Sequence, residues 1–553
     1  MTYRAPIAEM RFALEACADL WSLQAGGRFG DLDADLLDAI LEGAGALATA
    51  TLAPINRSGD RAGVTLADHE VRTAPGFRAA YESFKAGGWQ GLTGETAYGG
   101  QGLPRAVALA VFETVHAANM SFGLLPMLTL GAIEAIEQHG AQDQKRLYLS
   151  KLISGEWTGT MNLTEPQAGS DLGALTTKAV AAADGAYRIS GQKIFITWGE
   201  HDLAPNIIHL VLARIEGAPA GSKGLSLFIV PKVLGDGVRN GVRCIGVEEK
   251  MGIHASPTCT MAYDGATGWL LGEENKGLAA MFTMMNAARL NVGLQGVAVA
   301  EAAYQKALSY ARERKQGGGF IVEHPDVRRM LMTMKAKIQA GRALCYACAV
   351  AADSGDKARE DLLTPIVKSW CTDMGVEVAS LGVQVHGGMG FVEEGGGAQF
   401  YRDARITPIY EGTNGIQALD LYGRKLLGDR GEAMRALIAQ ARETSAYGHR
   451  GAARLGQAAD ALNEATDYML GAARADAAAG ASEYLALVGD VAAGMLLAKG
   501  LLRAPAHPAL TKPILDEQSA LFGYYAETVL ARAAGRLPAI KVGMGALASP
   551  DFY

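Results

Sequence analysis

The feature that most constrains the fold is a change in hydrophobic pattern at about residue 157, which reverses at about residue 275 of a 553-residue chain. Outside this stretch, apolar residues recur at helical spacing. Inside it, they form short runs rich in Ile, Val, Phe and Thr that Gly, Asp or Pro interrupts. A single core rarely grows beyond roughly 250 to 300 residues, so several packed domains are expected. The pattern predicts a mainly α-helical protein with a central β domain.

Four domains are expected from these changes in pattern. They are an N-terminal helical domain (1–156), a middle β domain (157–276), a helical domain (277–430) and a C-terminal helical extension (431–553). In the extension, apolar residues recur at spacings of three and four residues, namely Tyr484, Val488, Val491, Met495, Ala498 and Leu502. This apolar stripe is typical of a helix that packs on its neighbours.

Composition excludes several classes of protein. Asp and Glu number 58 and Lys and Arg number 51, so the formal net charge is −7, which argues against a basic nucleic-acid binder. Six scattered cysteines do not suit a disulfide framework, and acidic residues interrupt the N-terminus where a secretory signal needs an apolar run. Because no run of about 18 consecutive apolar residues occurs, we expect no membrane span and a cytoplasmic location.

Short motifs with a known chemistry are weak or missing. The match to the dinucleotide fingerprint G-x-G-x-x-A at 43–48 follows a helical run instead of a strand, and Cys345-x-x-Cys348 lies inside a helical pattern without a second pair. The sequence has no phosphate-loop motif, no H-E-x-x-H and no G-x-S-x-G. No metal site is therefore predicted.

Three segments carry candidate chemistry. MNLTEPQAGSD (161–171) suits a turn whose amides and hydroxyls bind a polar ring edge, and in KIFITW (193–198) a strand places Phe195 and Thr197 on one face. In the segment 402–417, Glu411 stands between Tyr410 and Gly412 after an apolar approach, which makes it a candidate desolvated base. Each segment alone also fits an ordinary turn, strand or solvated acid.

Taken together, the three segments resemble the acyl-CoA dehydrogenase family over roughly residues 80–430. QVHGGMGFVEEGGGAQ, RDARITPIYEGTNGIQALDLYGRK, the YRAPIAEMRFAL start and the extension further resemble a long bacterial branch, that of the 3-methylmercaptopropionyl-CoA dehydrogenases. The resemblance implies a helical N-terminal domain, a β-barrel-like middle domain, a C-terminal four-helix bundle and an extra C-terminal helical domain.

The resemblance also implies FAD and the α,β-dehydrogenation of a short or medium acyl-CoA, such as 3-methylmercaptopropionyl-CoA, to the 2-enoyl-CoA. Glu411 would remove the α proton while FAD takes the β hydride. A water-excluding site must then raise the pKa of Glu411 from its reference value of about 4.3. The implied FAD contacts are Met161, Thr164, Gly169, Ser170, Phe195, Thr197 and Thr413, and the implied substrate contacts are Ser170, Arg289, Tyr410 and Gly412.

A neighbouring subunit enters the implied site as well. The resemblance implies that Arg314, Gln384 and Gly388 contact the FAD of a neighbouring subunit. It therefore also implies a homodimer or homotetramer. Two departures from the family pattern stand out: Phe195 replaces a common Trp, and QGGG follows Arg314-Lys315 where an aromatic residue is common.

Three hypotheses for function stay open on sequence alone. The first is a dehydrogenase that passes electrons to an electron-transfer flavoprotein, and the second is an oxidase that uses dioxygen. The third is a relative of the alkylation-response flavoproteins that binds DNA or a partner protein. The net charge and the lack of a Lys/Arg run in the last hundred residues count against the third.

Overall fold

A computed structural model gives the architecture and describes residues 3–448 and 451–548. Its N-terminal part is mainly helical because apolar residues at helical spacing bury against a common core. Short 3-10 and π segments join the helices. These helices are α1 (Ile7–Arg11), α2 (Ala34–Leu47), α3 (Ala53–Ala62), α4 (Phe77–Ala86), α5 (Arg105–Ala118), α6 (Met120–His139) and α7 (Gln142–Ile153).

A small hairpin interrupts the N-terminal helices. Strands β1 (Thr65–Ala67) and β2 (Glu70–Arg72) pair antiparallel around Asp68 and His69, which both have positive φ. Val71 is buried in the core of the middle domain, so the hairpin ties the two parts together. The sequence pattern did not reveal this hairpin, because a three-residue strand is too short to show a period.

The middle part is a closed sheet. Its strands are β3 (Thr158–Asn162), β4 (Lys178–Ala181), β5 (Ala186–Thr197), β6 (Ile207–Ile215), β7 (Leu225–Pro231), β8 (Val242–Val247) and β9 (Thr258–Leu271). Strand β6 pairs with β4, β4 with β5, β5 with β9, β9 with β7, and β7 again with β6. Strand β3 lies parallel to β6, and β8 pairs with β9. This circular pairing confirms the barrel-like middle domain.

A helical bundle follows the sheet. It contains α8 (Gly277–Glu313), the hairpin β10 (Lys315–Gln316) and β11 (Gly319–Phe320), α9 (Pro325–Ser354), α10 (Lys357–His386), α11 (Gly388–Phe391), α12 (Ala398–Ala404) and α13 (Asn414–Asp420). A π segment extends α13 to Leu426, and this run packs on α10.

The C-terminal extension packs directly on the bundle. It consists of α14 (Glu432–Ser445), α15 (Ala452–Gly471), α16 (Arg474–Ala479), α17 (Ala481–Arg503), α18 (Lys512–Thr528), α19 (Leu537–Ile540) and α20 (Gly543–Leu547). Helix α17 contacts both α9 and α10. Its predicted stripe is buried from Tyr484 to Ala498, whereas Leu502 at the end of the helix is 38% exposed. The stripe therefore belongs to the protein core.

Three helical stretches among the described residues are long and apolar enough to cross a membrane by length and composition. They are Ala34–Ala62, Met120–His139 and Ala481–Ala506. In the second and third, 89% and 78% of the most apolar window is buried inside the protein, compared with 39% in the first. A search for unbroken apolar runs understated this property, because isolated glycines and polar residues interrupt each stretch without making it hydrophilic.

Helices α8 and α10 cross closely through glycines. A Cβ on Gly296 would overlap the carbonyl of Cys371 and lie 2.9 Å from the Cα of Thr372. A Cβ on Gly375 would lie 2.7 Å from the carbonyl oxygen of Gly296. The two backbones are thus in contact, and this contact sets the distance between the helices.

We expect Gly296→Ala to lower the free energy of unfolding by about 1–3 kcal/mol, because the added methyl group has no room between the helices. Chemical denaturation measures the change. Gly471→Ala is the matched control, since nothing lies within 4 Å of the added Cβ at the end of α15. Equal stability of the two variants would contradict the close crossing.

Candidate active site

The end of β5 presents an aromatic ring to open space. The pairing of β5 with β9 is irregular between Lys193 and Ile196, and Phe195 there adopts a φ of 59°. Its side chain is 58% exposed, whereas Trp198, also at positive φ, is buried and donates from Nε1 to the carbonyl of Ser121 at 3.2 Å. An exposed, fixed phenyl ring of this kind fits a flat apolar partner.

A buried ion pair holds the neighbouring turn. Glu165 accepts hydrogen bonds from the backbone N–H groups of Thr176 and Thr177, and Lys193 lies 2.9 Å from its carboxylate. Lys193 also donates to the carbonyl of Leu163 at 2.8 Å. Although burial opposes it, Lys193 lowers the pKa of Glu165 to about 2. Sequence analysis missed this pair, because a lysine inside an apolar strand resembles a solvated residue.

The first two predicted segments meet at this turn. The N–H of Ile194 donates to the carbonyl of Thr164 at 2.9 Å, and the hydroxyl of Thr160 donates to the carbonyl of Thr197 at 2.7 Å. The hydroxyls of Thr164 and Thr197 have no hydrogen-bond partner among residues 3–448 and 451–548. Met161 on β3 is buried, whereas Gly169 and Ser170 are exposed in the turn that follows this strand.

The third segment is a tightly tied loop between α12 and α13. Glu411 and Gly412 have φ values of 56° and 84°, and the N–H of Asn414 donates to the carbonyl of Pro408 at 3.0 Å. Gln417 donates from Nε2 to the carbonyls of Glu411 and Gly412 at 3.4 and 3.2 Å. The loop thus fixes an uncommon backbone conformation at a non-glycine residue, which is typical of functional sites.

Further side chains connect this loop to the bundle. The hydroxyl of Tyr410 bonds to Oε1 of Gln295 on α8, so the ring of Tyr410 and not its hydroxyl is available to a ligand. The hydroxyl of Thr413 caps α13 by accepting from the N–H of Ile416 at 3.3 Å. Gln295 and Gln417 were not predicted, since each has only the ordinary helical pattern around it.

The carboxyl of Glu411 is the perturbed acid of the site. The residue as a whole is half-buried, and desolvation of its carboxyl raises the pKa of Glu411 to about 7, against the opposing positive charges of Arg289 and Lys368. A Cβ on Gly412 would lie 3.8 Å from Nη2 of Arg289, which puts that guanidinium beside the loop. Nη1 of Arg289 is 3.9 Å from Asp420, and its buried Nε has no partner within the described residues. A carboxyl that is strongly desolvated and has specific charged neighbours is a candidate functional acid.

Three predicted residues lie far from this acid in the same chain. Lys368 on α10 and Arg289 on α8 are the cations that act on Glu411. Gln384 lies 16 residues beyond Lys368, which is about 24 Å at 1.5 Å per residue. Arg314 lies 25 residues beyond Arg289, about 37 Å, just past the end of α8. Gln384 and Gly388 are exposed, and Tyr310 stacks on His386 at 4.6 Å, which brings the ends of α8 and α10 together. These residues form a second group, separate from Glu411.

The QGGG departure has a structural reason. Gly317 and Gly318 form the two-residue turn of the β10–β11 hairpin, with φ values of 59° and 90°. Two successive positive φ values favour glycine strongly. The hairpin supplies its own aromatic residue, because Nζ of Lys315 lies 4.7 Å from the ring centre of Phe320.

The donor set around β3 and β5 fits a flavin. It offers an exposed phenyl ring, two hydroxyls without partners and an exposed Gly-Ser turn, which match a flat apolar ring with a polar edge. No cluster of three or more metal-ligating side chains occurs in the described part of the chain.

Models of four domains match nearly the whole chain. The acyl-CoA dehydrogenase N-terminal domain matches residues 38–156, the middle domain 160–266 and the C-terminal domain 275–426. A domain described as acetyl-CoA dehydrogenase C-terminal like matches 432–550.

Individual proteins agree with these domain models. The chain is 48% identical over 543 residues to the 3-methylmercaptopropionyl-CoA dehydrogenase of Ruegeria pomeroyi, and the match covers 92% of each chain. An acyl-CoA dehydrogenase structure with FAD from Bacillus anthracis is 22% identical, with a TM-score of 0.77 over 93% of this chain and 89% of that one. A structure described as electron transferring flavoprotein of Acidaminococcus fermentans matches at 28% identity, with a TM-score of 0.63 over 72% and 98%.

The fold and the site together define a flavin-dependent oxidoreductase. The chain belongs to the acyl-CoA dehydrogenase family. It is an FAD-dependent enzyme that dehydrogenates acyl-CoA thioesters.

We expect Glu165→Met to lower the free energy of unfolding by about 3–5 kcal/mol, because it leaves the Lys193 ammonium buried without its charge partner. FAD content should fall as well, since the turn loses its anchor. Glu273→Met is the control: this exposed acid lies 2.7 Å from Lys276, and its loss should leave stability nearly unchanged because solvent screens the pair. Equal thermal unfolding of the two variants would show that the buried pair does not hold the turn.

Proposed function

We propose that Glu411 is the base that removes the α proton of the acyl-CoA. The observation that carries this proposal is a desolvated carboxyl with a pKa of about 7 on a loop with a fixed, uncommon backbone. A base with a pKa near the operating pH is about half ionised and has a much higher proton affinity than an ordinary carboxylate. When bound, FAD accepts the β hydride of the substrate.

The substrate contacts in this proposal are Ser170, Arg289, Tyr410 and Gly412. The backbone N–H of Glu411 has no acceptor within the described ranges. A free N–H suits the thioester carbonyl, whose oxygen gains negative charge as the α proton leaves. The unpartnered Nε of Arg289 is a donor for a polar group of the CoA ester.

For the cofactor, we assign the contacts within one subunit to Met161, Thr164, Gly169, Ser170, Phe195, Thr197 and Thr413. Arg314, Gln384 and Gly388 would contact the FAD of a neighbouring subunit. Their separation from Glu411 along α8 and α10 supports this division, because one cofactor cannot reach both groups in the same chain unless it spans most of the bundle. The active enzyme is accordingly a homodimer or homotetramer.

The substrate that we propose is a short or medium acyl-CoA, with 3-methylmercaptopropionyl-CoA as the first candidate. The Ruegeria pomeroyi relative, at 48% identity, supports this choice. We further propose an electron-transfer flavoprotein as the acceptor and the cytoplasm as the location. The similarity to a chain in the Acidaminococcus fermentans structure supports the acceptor.

We expect Glu411→Gln to retain FAD and bind acyl-CoA but to lose flavin bleaching under anaerobic conditions, because the amide cannot accept the α proton. Removal of a general base typically lowers the rate by at least 10²-fold. Stopped-flow absorbance at the flavin band measures the rate. A variant that bleaches at the wild-type rate would remove Glu411 from this role.

Mixing the purified enzyme with a panel of acyl-CoAs tests the substrate and the acceptor. We expect 3-methylmercaptopropionyl-CoA and butyryl-CoA to bleach the flavin much faster than palmitoyl-CoA. Reoxidation should require electron-transfer flavoprotein and should consume little dioxygen. Fastest bleaching by the long chain would contradict the proposed substrate, and stoichiometric oxygen consumption would indicate an oxidase.

A further inference from the structure

Lys368 is a fully buried lysine on α10, next to the loop that carries Glu411. It is 0% exposed, and its ammonium donates to Oδ1 of Asn414 at 2.8 Å. Within residues 3–448 and 451–548, no carboxylate lies within 4 Å of it. A buried ammonium with one neutral acceptor lowers stability, and a methionine of similar length would fill the same space without this penalty.

Asn414 connects Lys368 to the rest of α10. Its Nδ2 donates to Oδ1 of Asp373 at 2.8 Å, to the hydroxyl of Thr372 at 3.0 Å and to the carbonyl of Ser369 at 3.2 Å. The amide of Asn414 is thus held on both sides. Because Asn414 begins α13 and its N–H closes the loop onto Pro408, its position determines where the loop ends.

The charged groups around Glu411 come from three sides. Arg289 approaches from α8, and Lys368 approaches from α10 together with Asp373; both cations favour the ionised form of Glu411. Burial lowers the pKa of Lys368 itself to about 7, and the charge of Glu411 opposes this change. On α13, Asp420 offsets part of the charge of Arg289, and Arg424 lies beyond it in the π segment. Arg405 lies on the loop side, facing Asp373.

We propose that Lys368 is a positioning residue for the base. Through Asn414 it fixes the loop that bears Glu411, and in its protonated form its positive charge favours the ionised carboxyl of Glu411. This inference rests on the proposed role of Glu411 as the base. It explains why a polar group that reduces stability occupies a position that an apolar side chain could fill.

The sign of the expected effect follows from electrostatics. A cation near a carboxylate lowers its pKa, so removal of the cation raises the pKa of Glu411 and reduces its ionised fraction at neutral pH. In Lys368→Gln the amide can still donate to Asn414, but the charge is lost. We expect the acidic limb of the kcat/KM profile to move to higher pH by about one unit. At pH values below the limb, kcat/KM should therefore fall roughly tenfold. The rate should recover at high pH.

Two further variants separate charge from structure. Lys368→Arg is charged at every pH and should hold the limb at or below its wild-type pH, and Lys368→Met should move it upward as Lys368→Gln does. Lys357→Met is the matched control on the same helix, because Lys357 is exposed and pairs with Glu360 and Asp361 at 3.1 Å. Its profile should equal that of the wild type.

The profiles are measured on FAD-loaded enzyme after the flavin content of each variant has been checked. If Lys368→Met does not fold, Lys368→Gln decides the question. A uniform rate loss at every pH, with the limb in place, would overturn the electrostatic role and leave a structural one. An unchanged profile would overturn the proposal altogether. Failure of the base assignment is a different result, because Glu411→Gln would then still bleach the flavin.

Discussion

The structure depends on keeping one carboxyl, that of Glu411, in a place that water reaches poorly. Desolvation raises its pKa to about 7, and the charges of Arg289 and Lys368 limit the rise. These three groups come from the loop, α8 and α10, so their spacing follows from how closely the two helices cross. The contact of Gly296 with α10 sets that crossing. The packing of α8 against α10 therefore also determines the electrostatic environment of Glu411.

The C-terminal extension supports the same helix. Trp370, two residues after Lys368, donates from Nε1 to Asp490 of α17 at 2.9 Å, and Arg536 pairs with the same carboxylate at 3.0 Å. A Cβ on Gly489 would overlap the ring of Trp370, so α17 lies directly against it. The extension thus packs as part of the helical bundle, and its loss would expose the outer side of α10.

Much of the fold and part of the site could be predicted from sequence. The runs of Ile, Val and Thr indicated the β domain, and the joint presence of three segments indicated the family. The acid between Tyr410 and Gly412 was identifiable because its motif is continuous in sequence. The roles of three other residues could not be identified in this way, because each depends on a partner that is distant in sequence. These residues are Lys368, Asn414 and Glu165. The positive φ of Phe195 was also hidden, because alternation predicts a regular strand and cannot show a bulge.

The most direct test of the account is the titration of the Glu411 carboxyl itself in the FAD-loaded enzyme. Carbon-13 NMR of protein labelled at the glutamate carboxyl, with Glu411→Gln to assign the signal, reports its ionisation without turnover. The account predicts a midpoint at about pH 7. A midpoint near the ordinary value of about 4.3 would mean that the carboxyl is solvated, and the account would be contradicted.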